Sequence, residues 1–325
     1  MRACIVGAGA VGGFLAASLA RAGHDVSVVA RGAHLAAMRE HGLRLESGGA
    51  SETFRLRCAA APVELPAQEA VFVLVKEPAL PAVLPTLAPL LEEDTPVVVS
   101  TNGIPWWFFR GLPPPWRGRH LERLDPGGRL DAALEPRRLL GCVVNAACTV
   151  VAPGVVRHSG SRRFILGEPA GGVSARAEAM ADVLRGAGLE APVAADIQAE
   201  LWSKLMMNLP MSPVAALTGS PLQALMAHAG TRALAEEVAQ ELREVATRLG
   251  IAADYTQERR AAMAAKVGPQ FRHSMLQDFE AGRPPEIDAL VGAALDIAQM
   301  AGVEVPRVRA LLALVSLRAQ VAGLA

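Results

Sequence analysis

Residues 1–13 read Met-Arg-Ala-Cys-Ile-Val-Gly-Ala-Gly-Ala-Val-Gly-Gly, and after an apolar stretch the chain continues Gly-His-Asp-Val-Ser-Val-Val-Ala-Arg over Gly23–Arg31. Ala3–Val6 predicts a short buried strand. Gly7, Gly9 and Gly12 form Gly-x-Gly-x-x-Gly directly behind it. Phe14–Ala22 predicts a helix with Leu15, Ala16, Leu19 and Ala20 on one face, and His24–Ala30 a second strand. Strand, glycine turn, helix and strand thus follow one another within a single βαβ unit, the context that gives the glycine motif meaning.

Each glycine has a separate task in that context. Gly7 permits the tight turn, Gly9 lets the backbone approach a pyrophosphate, and Gly12 lets the helix pack close to the strand. Ala8, Ala10 and Val11 fill the positions between them. The helix N-terminus offers unpaired N–H groups and a partial positive charge to phosphate. The loop therefore predicts a dinucleotide site; the competing reading is a structural glycine turn in some other α/β protein. An NAD site carries an acid at the end of the second strand, about 20 residues past the glycines. Here the strand ends Val28-Val29-Ala30-Arg31-Gly32. Arg31 can pair with a 2′-phosphate and Gly32 leaves room for it, which predicts NADP(H). Otherwise Arg31 is only a solvated cation.

The length of 325 residues predicts two domains. Half the residues are apolar, enough for a sizeable core, and the formal net charge is zero. A neutral chain is a poor nucleic-acid binder. Cys4, Cys58, Cys142 and Cys148 are scattered in apolar contexts, with neither disulfide nor metal spacing, which predicts a cytoplasmic protein without a bound metal. Two uncharged runs are long enough to cross a membrane, but Leu139–Val156 reads as strand, turn and strand, and Leu205–Gly230 as buried helices interrupted by prolines.

Further along, Leu35–Glu40 predicts a helix, and Leu43–Leu45 and Thr53–Arg57 two strands around Ser47-Gly48-Gly49. Ala70–Val75 and Pro96–Ser100 are continuous apolar runs, as expected for strands buried in a parallel sheet, and they lead into Lys76 and Asn102. Ala79–Leu91 predicts a helix weakened by Pro81, Pro85 and Pro89. Ile104–Pro136 holds Trp106, Trp107, Phe108, Phe109 and Trp116 and predicts either a lid or pocket wall, or a packed surface excursion. Leu140–Val151, Val155–His158, Arg163–Leu166 and Ala191–Ala194 predict later strands, and Ala175–Gly186 a helix. From Asp196 the pattern is helical throughout, with helices over Ile197–Leu209, Ala233–Leu249, Glu286–Met300 and Arg307–Val321.

Within Ala199–Asn208, Leu201, Leu205 and Leu209 continue one stripe, while Glu200, Lys204 and Asn208 share another face at the same spacing. A helical lysine is ordinarily solvated. Lys204, however, borders two dozen uncharged positions, and burial there would bring its pKa toward the acid–base range.

Six short motifs in order carry a resemblance to the ketopantoate reductase (2-dehydropantoate 2-reductase) family over essentially the whole chain. They are Gly7–Gly12, Val75-Lys76, Asn102-Gly103, Glu200–Leu205, Ser274-Met275-Leu276-Gln277-Asp278 and Glu286-Ile287-Asp288. The resemblance implies a Rossmann-type α/β domain over 1–195, binding NADP through Gly7–Gly12, Arg31, Lys76 and Asn102. A helical substrate domain would follow over 196–325, with the active site in the cleft between them. It implies hydride transfer from NADPH to the ketone of a 2-keto acid, 2-dehydropantoate to pantoate in pantothenate and CoA biosynthesis being the leading case. By matching position, Lys204 resembles the residue that polarises or protonates the carbonyl oxygen. Glu286 resembles the carboxylate that orients the substrate, and Asn208, Ser274 and Asn102 resemble substrate contacts. Taken alone, Ser274 also reads as a helix N-cap with Gln277 at the capping-box position, and Glu286 as a first-turn acid.

Three positions depart from the family pattern. Ser212, Phe271 and Val291 stand where better-studied members carry Asn, and the aromatic excursion is longer than in compact members. Fewer amides and more aromatic surface suggest a paralogue acting on a less polar keto acid. Two other readings stay open: a different two-domain dehydrogenase, or an NADPH-binding sensor without turnover. A small-molecule substrate is the expected partner, and the apolar C-terminal helices read either as a homodimer face or merely as core.

Overall fold

The computed structural model describes residues 1–256, 268 and 270–324. Its first compact unit comprises Met1–Thr101 with Gly128–Ile197, and its second Asn102–Gly127 with Gln198–Ala325. The aromatic excursion up to Gly127 thus groups with the helical unit, although it interrupts the sequence of the sheet unit.

The sheet unit opens β1 (Arg2–Val6), α1 (Ala10–Arg21), β2 (Asp25–Val29), α2 (Gly32–His41), as the glycine context predicts. Then come β3 (Leu43–Ser47), β4 (Ala50–Phe54), β5 (Arg57–Ala59), β6 (Ala70–Val73), α3 (Leu80–Val83), β7 (Val97–Val99), α4 (Arg129–Ala133), β8 (Leu139–Ala152), β9 (Val155–Gly167), α5 (Ala175–Gly186) and β10 (Val193–Ala194). One ten-stranded sheet runs β4-β3-β9-β8-β7-β6-β1-β2-β5, with β10 on β9. β7, β6, β1, β2 and β5 are parallel neighbours, whereas β8–β9 and β3–β4 are antiparallel. β6 is wholly buried, which explains its unbroken Ala-Val-Phe-Val sequence. Ile5, Leu15, Leu19, Val28 and Phe72 are among the core residues.

Three expectations in the sheet unit are corrected by the backbone. The expected strand Thr53–Arg57 straddles the end of β4 and the start of β5, with Arg55-Leu56 outside both. Ala79–Leu91 is not one helix: α3 covers four residues and is flanked by 3-10 turns at Glu77–Ala79, Leu84–Thr86 and Ala88–Leu90. Pro81, Pro85 and Pro89 recur each helical turn and remove the amides that a continuous helix needs. Val155–His158 and Arg163–Leu166 are parts of one strand, β9, antiparallel to β8. Its middle, Ser159–Arg162, is exposed, so the sequence shows only the two apolar ends.

The helical unit contains α6 (Ile197–Asn208, whose first residue belongs to the sheet unit), α7 (Ser212–Thr218), α8 (Leu222–Ala227) and α9 (Ala229–Leu249), then helices Ser274–Glu280, Ala293–Ala301 and Pro306–Val321. The expected helix over Glu286–Met300 begins as a π-helical turn at Asp288–Gly292. The aromatic segment is part of this core. Phe108 and Phe109 are fully buried, and Phe108 packs against Trp202 of α6 at 5.8 Å between ring centroids. Gln198 Nε2 donates to the Phe108 carbonyl at 3.2 Å and Trp202 Nε1 to the Leu242 carbonyl at 3.1 Å. These contacts favour the packed excursion over a free lid for 102–127. Among the described residues no helix is long and apolar enough to cross a membrane.

Candidate active site

The glycine loop joins β1 to α1. β1 lies between β2 on one side and β6 on the other, so the loop sits where the strand order reverses, the usual ligand position in an open α/β sheet. Gly7 has φ +97°, and a Cβ there would meet Leu74 O at 2.9 Å. A Cβ on Gly12 would overlap the carbonyl oxygen of Gly7, so this glycine sets the helix-to-strand approach. A Cβ on Gly9 would meet nothing within 4 Å. Gly9 is the N-cap of α1, with no side-chain cap, and no acid lies in the first turn. Open space before an uncapped helix N-terminus fits a dinucleotide phosphate. Of the residues between the glycines, Ala8 is buried and Ala10 and Val11 are half-buried.

Arg31 is exposed and is the N-cap of α2, immediately after β2. Gly32 has φ +59° with open space around it, so the turn that presents Arg31 needs a residue without a side chain. Lys76 is half-buried three positions past β6, at the head of a 3-10 turn. Both therefore lie beyond carboxyl ends of the strands flanking β1. His34, which the sequence reading passed over, touches the loop directly. Its Nε2 lies 2.8 Å from the Ala8 carbonyl and its Nδ1 accepts from Gly154 N at 2.9 Å. Burial lowers its pKa, and the bond to the Ala8 carbonyl partly opposes that.

In the helical unit, three of the expected site residues meet. The Asn102 backbone N–H points at Glu286 Oε1 at 3.4 Å, and Asn102 Nδ2 donates to Ser274 Oγ at 3.3 Å. The chain beyond Asn102 runs close against the π-helical turn. Ile104 N donates to the Ala289 carbonyl at 2.8 Å, and a Cβ on Gly103 (φ +81°) would overlap that same carbonyl. Arg123 braces the turn from the same excursion. It donates twice to Asp296, at 2.7 and 3.0 Å, and once to Asp288, at 2.9 Å, and its stem fills the space where a Gly292 side chain would be. Asp296 first, and Asp288 with it, push the Arg123 pKa upward. π turns recur at functional sites; here the turn begins two residues after Glu286.

Lys204 and Asn208 are half-buried and one turn apart on α6. Ser203 anchors the same helix, donating to the Ala199 carbonyl at 2.6 Å and accepting from Asp254 N at 2.8 Å. The Asn208 carbonyl accepts from Met211 N at 3.2 Å, which sets the entry to α7, and α7 packs on the Ser274–Glu280 helix.

Ser274 is not the N-cap of its helix. His273 holds that place and Ser274 is the first helical residue, while Gln277 Nε2 donates to the Arg272 carbonyl instead of closing a capping box. The Ser274 hydroxyl is thus available to Asn102. Of the three departures, Ser212 and Val291 are buried inside the helical unit, and only Phe271 keeps exposed surface, edge-on to His273 at 5.5 Å. Arg123 and His34 escaped the sequence reading because their partners lie far away in the chain.

A dinucleotide-type loop on a doubly wound sheet, followed by a helical unit with a polar constellation, defines a class of two-domain oxidoreductase. The chain belongs to the ketopantoate reductase family. The family model described as Ketopantoate reductase PanE/ApbA matches residues 3–107, and its C-terminal counterpart matches 196–319. A 2-dehydropantoate 2-reductase from Mesorhizobium japonicum is 45% identical over 97% of each chain. A solved structure from Ralstonia solanacearum MolK2 superposes with a TM-score of 0.92 at 44% identity, covering 100% of this chain and 99% of its own. A D-mandelate dehydrogenase crystallised with NADH and anilino(oxo)acetate shares the fold, with a TM-score of 0.85 at 21% identity and full coverage of both chains.

Proposed function

We propose that this protein reduces the ketone of a 2-keto acid to the 2-hydroxy acid with NADPH, and that 2-dehydropantoate is its leading substrate. The observation that carries the reading is the joining of Asn102, Ser274 and Glu286 by hydrogen bonds in a chain 45% identical to a 2-dehydropantoate 2-reductase. The nicotinamide, when bound, supplies the hydride that reaches the carbonyl carbon.

The protein's residues do the remainder. Reduction turns the carbonyl oxygen into an alkoxide, and a preorganised cation placed there lowers the barrier most where charge develops. Lys204 has that role: its ammonium faces the oxygen and delivers the proton that completes the hydroxyl. Glu286 accepts from a substrate hydroxyl, and its contact with the Asn102 amide holds its carboxylate in one orientation. Ser274, Asn208 and the Asn102 side chain donate to the substrate carboxylate. Gly7–Gly12 cradle the pyrophosphate, Lys76 and Asn102 contact the cofactor, and Arg31 pairs with the 2′-phosphate.

The deciding experiment follows NADPH and NADH oxidation with 2-dehydropantoate beside 2-keto acids of graded size and polarity, including anilino(oxo)acetate. Wild type and Lys204→Ala are compared. Turnover of 2-dehydropantoate that collapses in the variant supports the whole reading. Turnover of only bulkier, less polar acids, still dependent on Lys204, keeps the chemistry and makes the protein a paralogue, the outcome that the aromatic surface of Phe271 favours. Preference for NADH removes the role given to Arg31. Tight NADPH binding without any turnover leaves the sensor reading. Leu314, Leu317 and Val321 are exposed on the last helix and form the face we assign to a homodimer, tested by light scattering.

A further inference from the structure

His34 makes two hydrogen bonds that only one form of the ring satisfies. Gly154 N is a donor, so Nδ1 at 2.9 Å must be the unprotonated acceptor. The neutral ring then carries its proton on Nε2, which donates to the Ala8 carbonyl at 2.8 Å. The imidazole therefore links the phosphate loop to the turn between β8 and β9. That turn is itself fixed, because the Gly154 carbonyl accepts from Arg44 N of β3 at 2.8 Å, and Gly154 takes φ +74° where an added Cβ would lie 3.1 Å from Ala37 of α2. Ala8 lies between Gly7 and Gly9, so the orientation of its peptide sets where the following amides point.

We propose that His34 is a positioning residue for dinucleotide binding: its neutral imidazole locks the Ala8 peptide against the Gly154 turn and so fixes the glycine loop in its phosphate-binding form before the cofactor arrives. The inference rests on the dinucleotide reading of that loop. It also ties Arg31 to the loop, since Arg31 caps the helix that carries His34 one turn later. Protonation at Nδ1 would set two donors against each other at Gly154 and release the link. No ionisable side chain comes from the glycine loop or from Pro153–Gly154. The charged and titratable groups on the elements around it are Arg31 at the N-cap of α2, Arg39, Glu40 and His41 on α2, all exposed, Arg44 with its partner Glu46 on β3, and Arg157 on β9, which also pairs with Glu46.

The test compares wild type with His34→Phe, which keeps a ring and loses both hydrogen bonds, and His34→Gln, which retains a donor and an acceptor. NADPH affinity is read by nicotinamide fluorescence at pH 8 and pH 5, and amide hydrogen exchange over residues 7–13 is read in the cofactor-free protein. The expected result is about tenfold weaker NADPH binding in His34→Phe, the loss of two ordinary hydrogen bonds, with His34→Gln closer to wild type. Exchange over the loop rises in the same order, and the wild type loses more affinity at pH 5, below the ordinary imidazole range from which burial lowers His34, than the non-titrating Gln variant does. Equal NADPH affinity and equal loop exchange in all three proteins overturn the proposal. Should His34→Phe not fold, His34→Gln and its pH profile carry the test alone. A wild type that binds neither NADPH nor NADH overturns the dinucleotide reading itself, an outcome that no variant can produce.

Discussion

Arg123 grips Asp296 through two hydrogen bonds of 2.7 and 3.0 Å, and the same guanidinium reaches Asp288 on the other side of Gly292. The pair spans the π-helical turn that follows Glu286. Arg123→Ala leaves two carboxylates facing across the turn and opens the space beside Gly292. Two-pronged pairs of this kind are worth more than ordinary surface ion pairs, and the expected loss is about 1–2 kcal/mol in urea denaturation after allowing for the partial exposure of the site. The keto-acid KM rises with it, because Glu286 loses its support. Arg123→Lys keeps the charge but not the fork and falls between the two. Wild-type KM in Arg123→Ala would separate the brace from the substrate site.

Gly9 and Gly12 make opposite predictions for the same substitution. A Cβ on Gly12 collides with the Gly7 carbonyl, so Gly12→Ala forces α1 away from β1 and costs about 1–3 kcal/mol of stability, the usual range for overpacking. A Cβ on Gly9 meets no protein atom, so Gly9→Ala leaves the melting temperature of the cofactor-free protein near wild type. Both variants lose NADPH affinity. Parallel thermal melts and NADPH titrations check the contrast, and a Gly9→Ala protein that binds NADPH normally would remove the phosphate from that space.

The first βαβ unit was legible because its signals are local: four apolar residues, three glycines and one helical face lie within a few turns of each other. β6 and β7 were legible because burial on both faces leaves an unbroken apolar run. The middle of β9 was not, since an exposed antiparallel strand has no apolar alternation to read. Nor was the π turn, whose extra residue per turn still satisfies an apolar helical pattern through Ala289–Gly292. Asn102, Ser274 and Glu286 were nominated by motif resemblance, and their contact is a tertiary fact, the partners standing 172 and 184 positions apart in the chain. Arg123 and His34 stood in stretches that resembled a loop and an ordinary surface helix.

Arg31 gives a prediction about cofactor choice. It stands exposed at the end of β2 with Gly32 turning the chain behind it. Loss of one charge-assisted pair to a 2′-phosphate is worth about 1.5–3 kcal/mol, so Arg31→Ala raises the NADPH KM by about tenfold or more while leaving the NADH KM nearly unchanged. A parallel rise for both cofactors would show that Arg31 acts on the loop and not on the 2′-phosphate.

His273 predicts an acid limb in the stability profile. It is buried before the Ser274–Glu280 helix, and its Nε2 has no hydrogen-bond partner among the described residues. Burial pushes its pKa down from 6.5 to about 4. The folded protein therefore keeps the ring neutral to about pH 4, whereas the unfolded chain takes up a proton near 6.5. Between those values the unfolded state binds more protons, so stability falls as pH drops through this window and levels off below it. Across the whole window the loss attributable to this one group is about 3 kcal/mol. His273→Phe keeps a ring against Phe271 and removes the titration. Urea denaturation at pH 7 and pH 4.5 therefore shows a smaller acid loss in the variant than in wild type, by about 2 kcal/mol. Equal losses would mean that His273 is as easily protonated in the folded protein as in the unfolded chain, and the helix it precedes would then have to open to solvent in acid.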